Sequence, residues 1–284
     1  MIKNILVWVF GLLPEGSLKN KIRCYYSSLW PKNQLPAVSV LDVPRHLLNI
    51  GPNHHGLHVR ASYDGNCFQL RFANGVIIRS YYDIFWIDIA ALQGYLAKYK
   101  LKEGDNVVDC GAYYGLFTIY AAKVIGNNGL VIAFEPDDLN YQKMVSNIKL
   151  NALTNVIAVN KGVWSKNTLL HFNNKHEEDS SFFFDGTSES IIDVRAVSID
   201  SELGMIGISK VNFLKMDIEG SELEAIKGAE ETLKNNYIHL AIASYHIING
   251  QASFNELERL LTTFNYEAIT SFPKHLTTYA AKLK

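Results

Sequence analysis

The sequence has little cysteine, no surplus of basic residues and no apolar run of membrane-spanning length, and each scarcity removes a class of protein. Its three cysteines, Cys24, Cys67 and Cys110, lie far apart. An odd, sparse count excludes a disulfide framework and a thiolate metal site, and points to a reducing compartment. Lys and Arg number 27 against 28 Asp and Glu, a formal net charge of −1. A nucleic-acid binder carries a basic excess over the phosphates it neutralises, so no nucleic-acid partner is expected. Glu177, Glu178 and Asp179 form the longest acidic run and read as a solvated loop. The apolar residues 2–13 fall short of the roughly 20 needed to cross a bilayer. With only Lys3 as a basic flank and no small-residue cleavage site after it, this segment leaves three readings open. It is a helix packed on the domain or a partner, a membrane-surface anchor, or a targeting segment. The expected location is cytoplasmic, with peripheral membrane contact through residues 2–13 as the variant.

What is present is a large apolar fraction, 48% of 284 residues, enough for one main core and a smaller N-terminal unit. Prolines at 31 and 36 break residues 1–50 into short pieces. Alternating runs at 57–63, 67–72 and 76–80, separated by Asp64-Gly65-Asn66 and Ala73-Asn74-Gly75, predict a small antiparallel meander. An amphipathic stretch at 87–99 predicts a helix leading into the main domain. The expected division is therefore residues 1–100, with the meander as a candidate substrate lid, and residues 101–284 as a ligand-binding domain.

From residue 105 strands alternate with helices. Strands are predicted at 106–110, 130–134, 155–160, 211–216 and 238–244, and helices at 116–125, 139–150, 222–233 and 254–264. An antiparallel pair at 168–172 and 191–197 interrupts this rhythm, and a hairpin of 267–270 with 276–280 closes the chain. Such alternation implies a doubly wound, mostly parallel sheet with helices on both faces.

Three strand ends carry the chemistry. The first runs Val107-Val108-Asp109-Cys110-Gly111-Ala112-Tyr113-Tyr114-Gly115, an acid and a glycine turn leading into a helix. Gly111 allows a tight bend and close ligand approach, and the helix amino end beyond it favours a carboxylate or phosphate. The second ends in Glu135-Pro136, an acid about 20 residues beyond the turn, the spacing at which a carboxylate accepts hydrogen bonds from ribose hydroxyls. Bulky Tyr113 and Tyr114 stand where a dinucleotide fingerprint has glycine beside the pyrophosphate, which disfavours NAD and suits an amino-acid ligand such as the methionine half of S-adenosylmethionine. The third end is Lys215-Met216-Asp217-Ile218-Glu219-Gly220-Ser221-Glu222. Asp217 is read as functional by position, and Glu222 as a helix cap. Asp217 and Glu219 offer oxygen ligands for a hard cation, with no third ligand evident. His46, His54, His55 and His58 fit no zinc spacing.

The runs VVDCGAYYGLFTIYAA, AFEPDDLNYQKMVSNIKLN and NFLKMDIEGSELEAIKGAEETL, followed by a strand ending SYH, resemble the FkbM-type methyltransferases over about residues 105–284. The resemblance implies a class I methyltransferase sheet of seven strands with the last pair antiparallel. It implies S-adenosyl-L-methionine as methyl donor and a hydroxyl oxygen, on a sugar, lipid or secondary metabolite, as acceptor. Asp109, Gly111, Ala112 and Gly115 match the family's first motif, with Tyr113 standing where the family usually has asparagine. Glu135 and Pro136 match its ribose motif, and Asn140, Asn147 and Asn151 the helix after it. Lys215, Asp217, Glu219, Gly220 and Glu222 match its fourth motif. His246, one sheet position beyond Asp217, is expected on the acceptor side as a general base, oriented by Asp217 or Glu219. Two rivals remain: a cofactor-fold binding module without chemistry, and an NAD-dependent oxidoreductase.

Overall fold

The computed structural model describes residues 59–63, 67–80, 85–173, 191–248, 251–271 and 275–283. The apolar segment 2–13, the four N-terminal histidines, the first hairpin turn and the acidic run at 177–179 lie outside them. Among the described residues no helix is long and apolar enough to cross a membrane.

The chain forms two compact units. The first holds the meander β1 (Val59–Tyr63), β2 (Phe68–Phe72) and β3 (Ile77–Ser80), paired in that order and antiparallel. Its second turn closes as the Asn-Gly pair predicts: Gly75 takes φ 85°, the Val76 amide donates to Asn74 Oδ1, and the Phe72 amide donates to the Val76 carbonyl. Alternation buries Leu70, Phe72 and Ile78.

The second unit begins with α1 (Phe85–Tyr95), so this helix groups with the main domain and the division falls near residue 84 rather than 100. It continues with β4 (Asn106–Cys110), α2 (Leu116–Ile125), β5 (Leu130–Phe134), α3 (Asp138–Leu150), β6 (Val156–Val159), β7 (Gly162–Val163), β8 (Thr168–Asn173) and β9 (Ile191–Val197). Then come α4 (Ile199–Met205), β10 (Phe213–Met216), α5 (Glu222–Lys227), α6 (Glu230–Asn235), β11 (His239–Ala243), β12 (Ile247–Ile248), β13 (Gln251–Ala252), α7 (Phe254–Thr263), β14 (Tyr266–Ser271) and β15 (Thr277–Lys282). The main sheet has seven strands in the order β14-β15-β11-β10-β4-β5-β6. β4, β5, β6, β10 and β11 are parallel, and β15 runs antiparallel to both β11 and β14. The closing hairpin is thus the antiparallel pair expected. Central strands are largely apolar because helices cover both faces, with Asp109 in β4 and Lys215 in β10 as charged exceptions: Val107, Val108, Ile132, Phe134, Leu214, Met216, Leu240 and Ile242 are all buried.

Three elements differ from the sequence reading. The helix expected over 222–233 is two helices, α5 and α6, broken at Gly228, where an added Cβ would lie 2.2 Å from the Trp164 carbonyl oxygen. Strand β7 and the short helix α4, capped by Ser198 through the Ser201 amide, flank the β8–β9 pair. The two-residue strands β12 and β13 form a small hairpin after His246.

Candidate functional site

Parallel register sets the site. Cys110 aligns with Phe134 on one side and Met216 on the other, and Met216 aligns with Ile242. Gly111, Glu135, Asp217 and His246 therefore follow neighbouring strands at the same edge of the sheet. The chain winds from β4 outward through β5 and β6, and separately from β10 through β11, so the switch point lies between β4 and β10. Ligands of doubly wound sheets bind there.

On the β4–β5 side the turn is a run of backbone conformations. Gly111, Tyr113 and Gly115 have φ of 79°, 52° and 91°. Gly111 is required by its neighbour, because a Cβ there would lie 1.9 Å from the Asp217 carbonyl oxygen. The space its missing side chain leaves is filled by β10's own backbone, not by a ligand. Gly111 and Ala112 amides both donate to the Phe134 carbonyl, and Gly115 starts α2. Tyr113 takes a left-handed conformation that asparagine adopts at lower cost. Its amide donates to Glu135 Oε2 at 2.7 Å, and the Asp137 amide donates to Glu135 Oε1 at 3.0 Å. Each carboxylate oxygen keeps a second lone pair for a ligand hydroxyl. Burial pushes the Glu135 pKa up to about 7 against the pull of these two amides. Asn160 holds the Glu135 and Pro136 carbonyls, and Asn147 ties α3 to the Tyr114 carbonyl.

Asp109 lies beneath the turn rather than on its face. It is fully buried, with Oδ1 3.1 Å from Lys215 Nζ and Oδ2 accepting from the Thr118 hydroxyl at 2.5 Å. Lys215 also donates to the Gly111 carbonyl at 2.6 Å, so one buried ion pair clamps β4, β10 and the turn together. Burial alone would lower the Lys215 pKa, but Asp109 and Asp217 raise it above the ordinary lysine value.

The β10–β11 side is built of side chains. Asp217 Oδ2 accepts from the Tyr95 hydroxyl at 2.6 Å, and Oδ1 from the Tyr245 hydroxyl at 3.2 Å. Burial pushes against ionisation of Asp217, yet Lys215, His275 and Tyr95 hold its pKa below the usual carboxylate value. His246 Nε2 lies 3.5 Å from Glu219 Oε2 and 3.7 Å from Asp217 Oδ1, and Nδ1 lies 3.0 Å from Glu222 Oε1. Burial alone would lower the His246 pKa; Glu219, Glu222 and Asp217 outweigh it and push the value up to about 10. A histidine so placed carries its proton near neutral pH. Glu219 reaches the cluster from φ 55°, while Glu222 caps its own helix end as expected, accepting from the Ile218 and Gly220 amides.

The sequence reading brought Asp217, Glu219 and His246 together correctly, but gave no role to Lys215 and passed over Tyr95, Tyr245 and His275. Tyr245 stood in plain view beside His246. Tyr95 comes from α1 and His275 from the loop before β15, and neither carries a local motif. His275 Nε2 lies 3.2 Å from the Tyr95 hydroxyl. Farther along α1, the Tyr114 hydroxyl donates to Asp88, whose pKa burial raises to about 7.

Residues 109–268 match the methyltransferase FkbM domain. The methyltransferase sdnD of Sordaria araneosa is 29% identical over 164 residues, 46% of this chain and 63% of that protein. Methyltransferase 1 of Beauveria bassiana is 24% identical over 148 residues, covering 44% of this chain and 58% of that protein. The chain thus spans about three-fifths of the length of these curated relatives. The crystal structure of the FkbM methyltransferase from Methylobacillus flagellatus KT superposes with a TM-score of 0.50 at 22% identity, over 65% of this chain and 45% of that one. The chain belongs to the FkbM methyltransferase family, and its main domain has the fold of the class I S-adenosylmethionine-dependent methyltransferases.

Proposed function

We propose that the chain transfers the methyl group of S-adenosylmethionine to a hydroxyl oxygen of a small-molecule, glycan or lipid acceptor. The observation that carries this reading is Glu135, a buried carboxylate fixed by two backbone amides at the end of β5, across the switch-point edge from the Asp217 cluster. It suits the two ribose hydroxyls of an adenosyl group. The amino end of α2 and the Gly111–Gly115 turn face the methionine half, whose carboxylate benefits from the helix dipole. Tyr113 and Tyr114 occupy the turn that a dinucleotide pyrophosphate would need to approach, so NAD fits less well.

In the reaction a lone pair of the acceptor oxygen forms the new O–CH3 bond as the S–CH3 bond breaks. Its electron pair stays on sulfur, leaving S-adenosylhomocysteine. The sulfonium charge disappears, and the hydroxyl proton leaves toward the Asp217–Glu219–His246 cluster. Holding donor and acceptor in line supplies the larger share of the acceleration, roughly 7–11 kcal/mol in favourable systems. His246, expected as the free base, sits among three carboxylates that hold it protonated, so Glu219, whose side chain is 68% exposed, is the better proton acceptor.

The test is thermal unfolding of the full chain with S-adenosylhomocysteine and, separately, NAD. A ligand that binds only the folded state raises the unfolding temperature by mass action. The reading expects a shift with S-adenosylhomocysteine and none with NAD; the reverse would assign an oxidoreductase.

A further inference from the structure

Asp217, Glu219 and His246 form more than a proton relay. Each offers one donor atom, and the three atoms lie within 4.8 Å of one another. Two carboxylates at a strand end would not by themselves make a site. The histidine adds an independent observation: its side chain is only 9% exposed, its Nδ1 is held 3.0 Å from Glu222 Oε1, and its Nε2 makes no hydrogen bond. Nε2 nevertheless points between the oxygens of Asp217 and Glu219, at 3.7 and 3.5 Å. The negative charge that holds a proton on this imidazole equally suits a cation, which would take the place of the Nε2 proton.

The surroundings are those of a ligand sphere. Glu222 is fully buried, anchored by the Ile218 and Gly220 amides, and sits 3.0 Å from His246 Nδ1, the position from which a carboxylate orients a metal-binding imidazole. Tyr95 and Tyr245 hydroxyls do the same for Asp217. Asp217 follows β10, Glu219 the turn after it and His246 the end of β11, so two adjacent strands fix the three donors. Glu219 keeps its other side open, leaving positions for acceptor oxygens.

We propose that Asp217, Glu219 and His246 bind a divalent cation of the manganese class, which takes mixed carboxylate and imidazole ligands and leaves coordination positions open. Nε2 and Asp217 Oδ1, 3.7 Å apart, are close enough to share one ion, and the exposed Glu219 supplies a third oxygen from beside them. The inference rests on the methyl-transfer reading and adds the means of activating the acceptor. An acceptor hydroxyl on the ion becomes more acidic, its proton passes to the uncoordinated oxygen of Glu219, and the resulting alkoxide attacks the methyl carbon. No electron transfer is involved, and the ion ends the cycle as it began.

The experiment uses the chelator-treated full chain and Mn2+ alone, followed by loss of the free-ion paramagnetic signal. Stoichiometric uptake is expected, and Glu219→Gln and His246→Ala should each weaken it by at least tenfold. S-adenosylhomocysteine thermal shifts on the same samples report folding and cofactor binding separately. Glu219→Gln, at an exposed side chain, is the variant that stays folded if His246→Ala does not. No uptake at about millimolar Mn2+, or uptake unchanged in Glu219→Gln, overturns the cation site while an intact S-adenosylhomocysteine shift leaves the methyl-transfer reading standing. Uptake without that shift would keep the cation and remove the methyl-transfer reading.

Discussion

At the ends of β4 and β5 the cleft presents mostly main chain: left-handed turn residues, backbone amides and one carboxylate bonded to them. At the ends of β10 and β11 it presents side chains: two carboxylates, an imidazole and the tyrosine hydroxyls behind them. The first arrangement tolerates changes of side chain and punishes changes of backbone. The second does the opposite. On the methyl-transfer reading, the backbone half would hold the cofactor, whose structure is fixed, and the side-chain half would meet the acceptor.

If the cofactor wall depends on what lies beneath it, its support should be the most sensitive point. Asp109→Ala leaves Lys215 as a buried cation without its carboxylate. A loss of about 3–5 kcal/mol is expected, read from the denaturant midpoint. A loss below about 1 kcal/mol would mean that the Cys110 and Gly111 carbonyls alone satisfy the ammonium. Gly111→Ala should come next, at about 2–4 kcal/mol, combining a strained positive φ with overlap on the Asp217 backbone. An unaltered midpoint there would show that β4 and β10 separate easily at their ends.

The same contrast explains what could be read without a structure. Apolar periodicity located the parallel strands closely, since a strand covered on both faces leaves an unbroken run such as 130–134 or 240–243. The cofactor wall was legible because glycine turns and a spaced acid are local signals. The bend expected at Gly111 is present, with φ 79°, but the space beside it belongs to Asp217, a neighbour distant in sequence. The break between α5 and α6 was invisible for the same cause, since Gly228 yields to the Trp164 backbone and not to a local breaker. On the acceptor side the sequence indicated Asp217, Glu219 and His246 by strand position. It had no way to reveal Tyr95 and His275, which α1 and the β14–β15 loop deliver from opposite ends of the domain.

Glu135 is the exception within the cofactor wall, the one side chain asked to bind. Glu135→Ala should weaken S-adenosylhomocysteine binding by about 1–3 kcal/mol in calorimetry, with the fold retained. Its titration gives a finer test. The folded pKa of about 7 stands above the ordinary carboxylate value of 4.5. The folded state therefore binds more protons than the unfolded one between these values, so this group lowers stability as pH rises from 4.5 to 7. Cofactor binding follows the opposite sign, because only the ionised carboxylate accepts from both ribose hydroxyls. Affinity should rise as pH passes upward through about 7, and Glu135→Gln should flatten that rise. A rise that survives in Glu135→Gln would place the titrating group elsewhere.

The smallest effect is expected at Tyr113, and it tests the contrast most directly. Tyr113→Asn places the family's usual residue in a left-handed position that costs a tyrosine about 1–2 kcal/mol. The gain is offset by loss of the ring contact with Tyr114, whose centroid lies 4.8 Å away, a contact worth about 0.5–1.5 kcal/mol. Net stability should change by less than about 1 kcal/mol. Tyr113 reaches Glu135 through its amide, and asparagine supplies the same amide. Affinity for S-adenosylhomocysteine should accordingly stay within about threefold, less than the 1.4 kcal/mol of a tenfold change. A tenfold loss would show the tyrosine ring itself to be part of the cofactor wall, and the division between a backbone half and a side-chain half of the cleft would no longer hold.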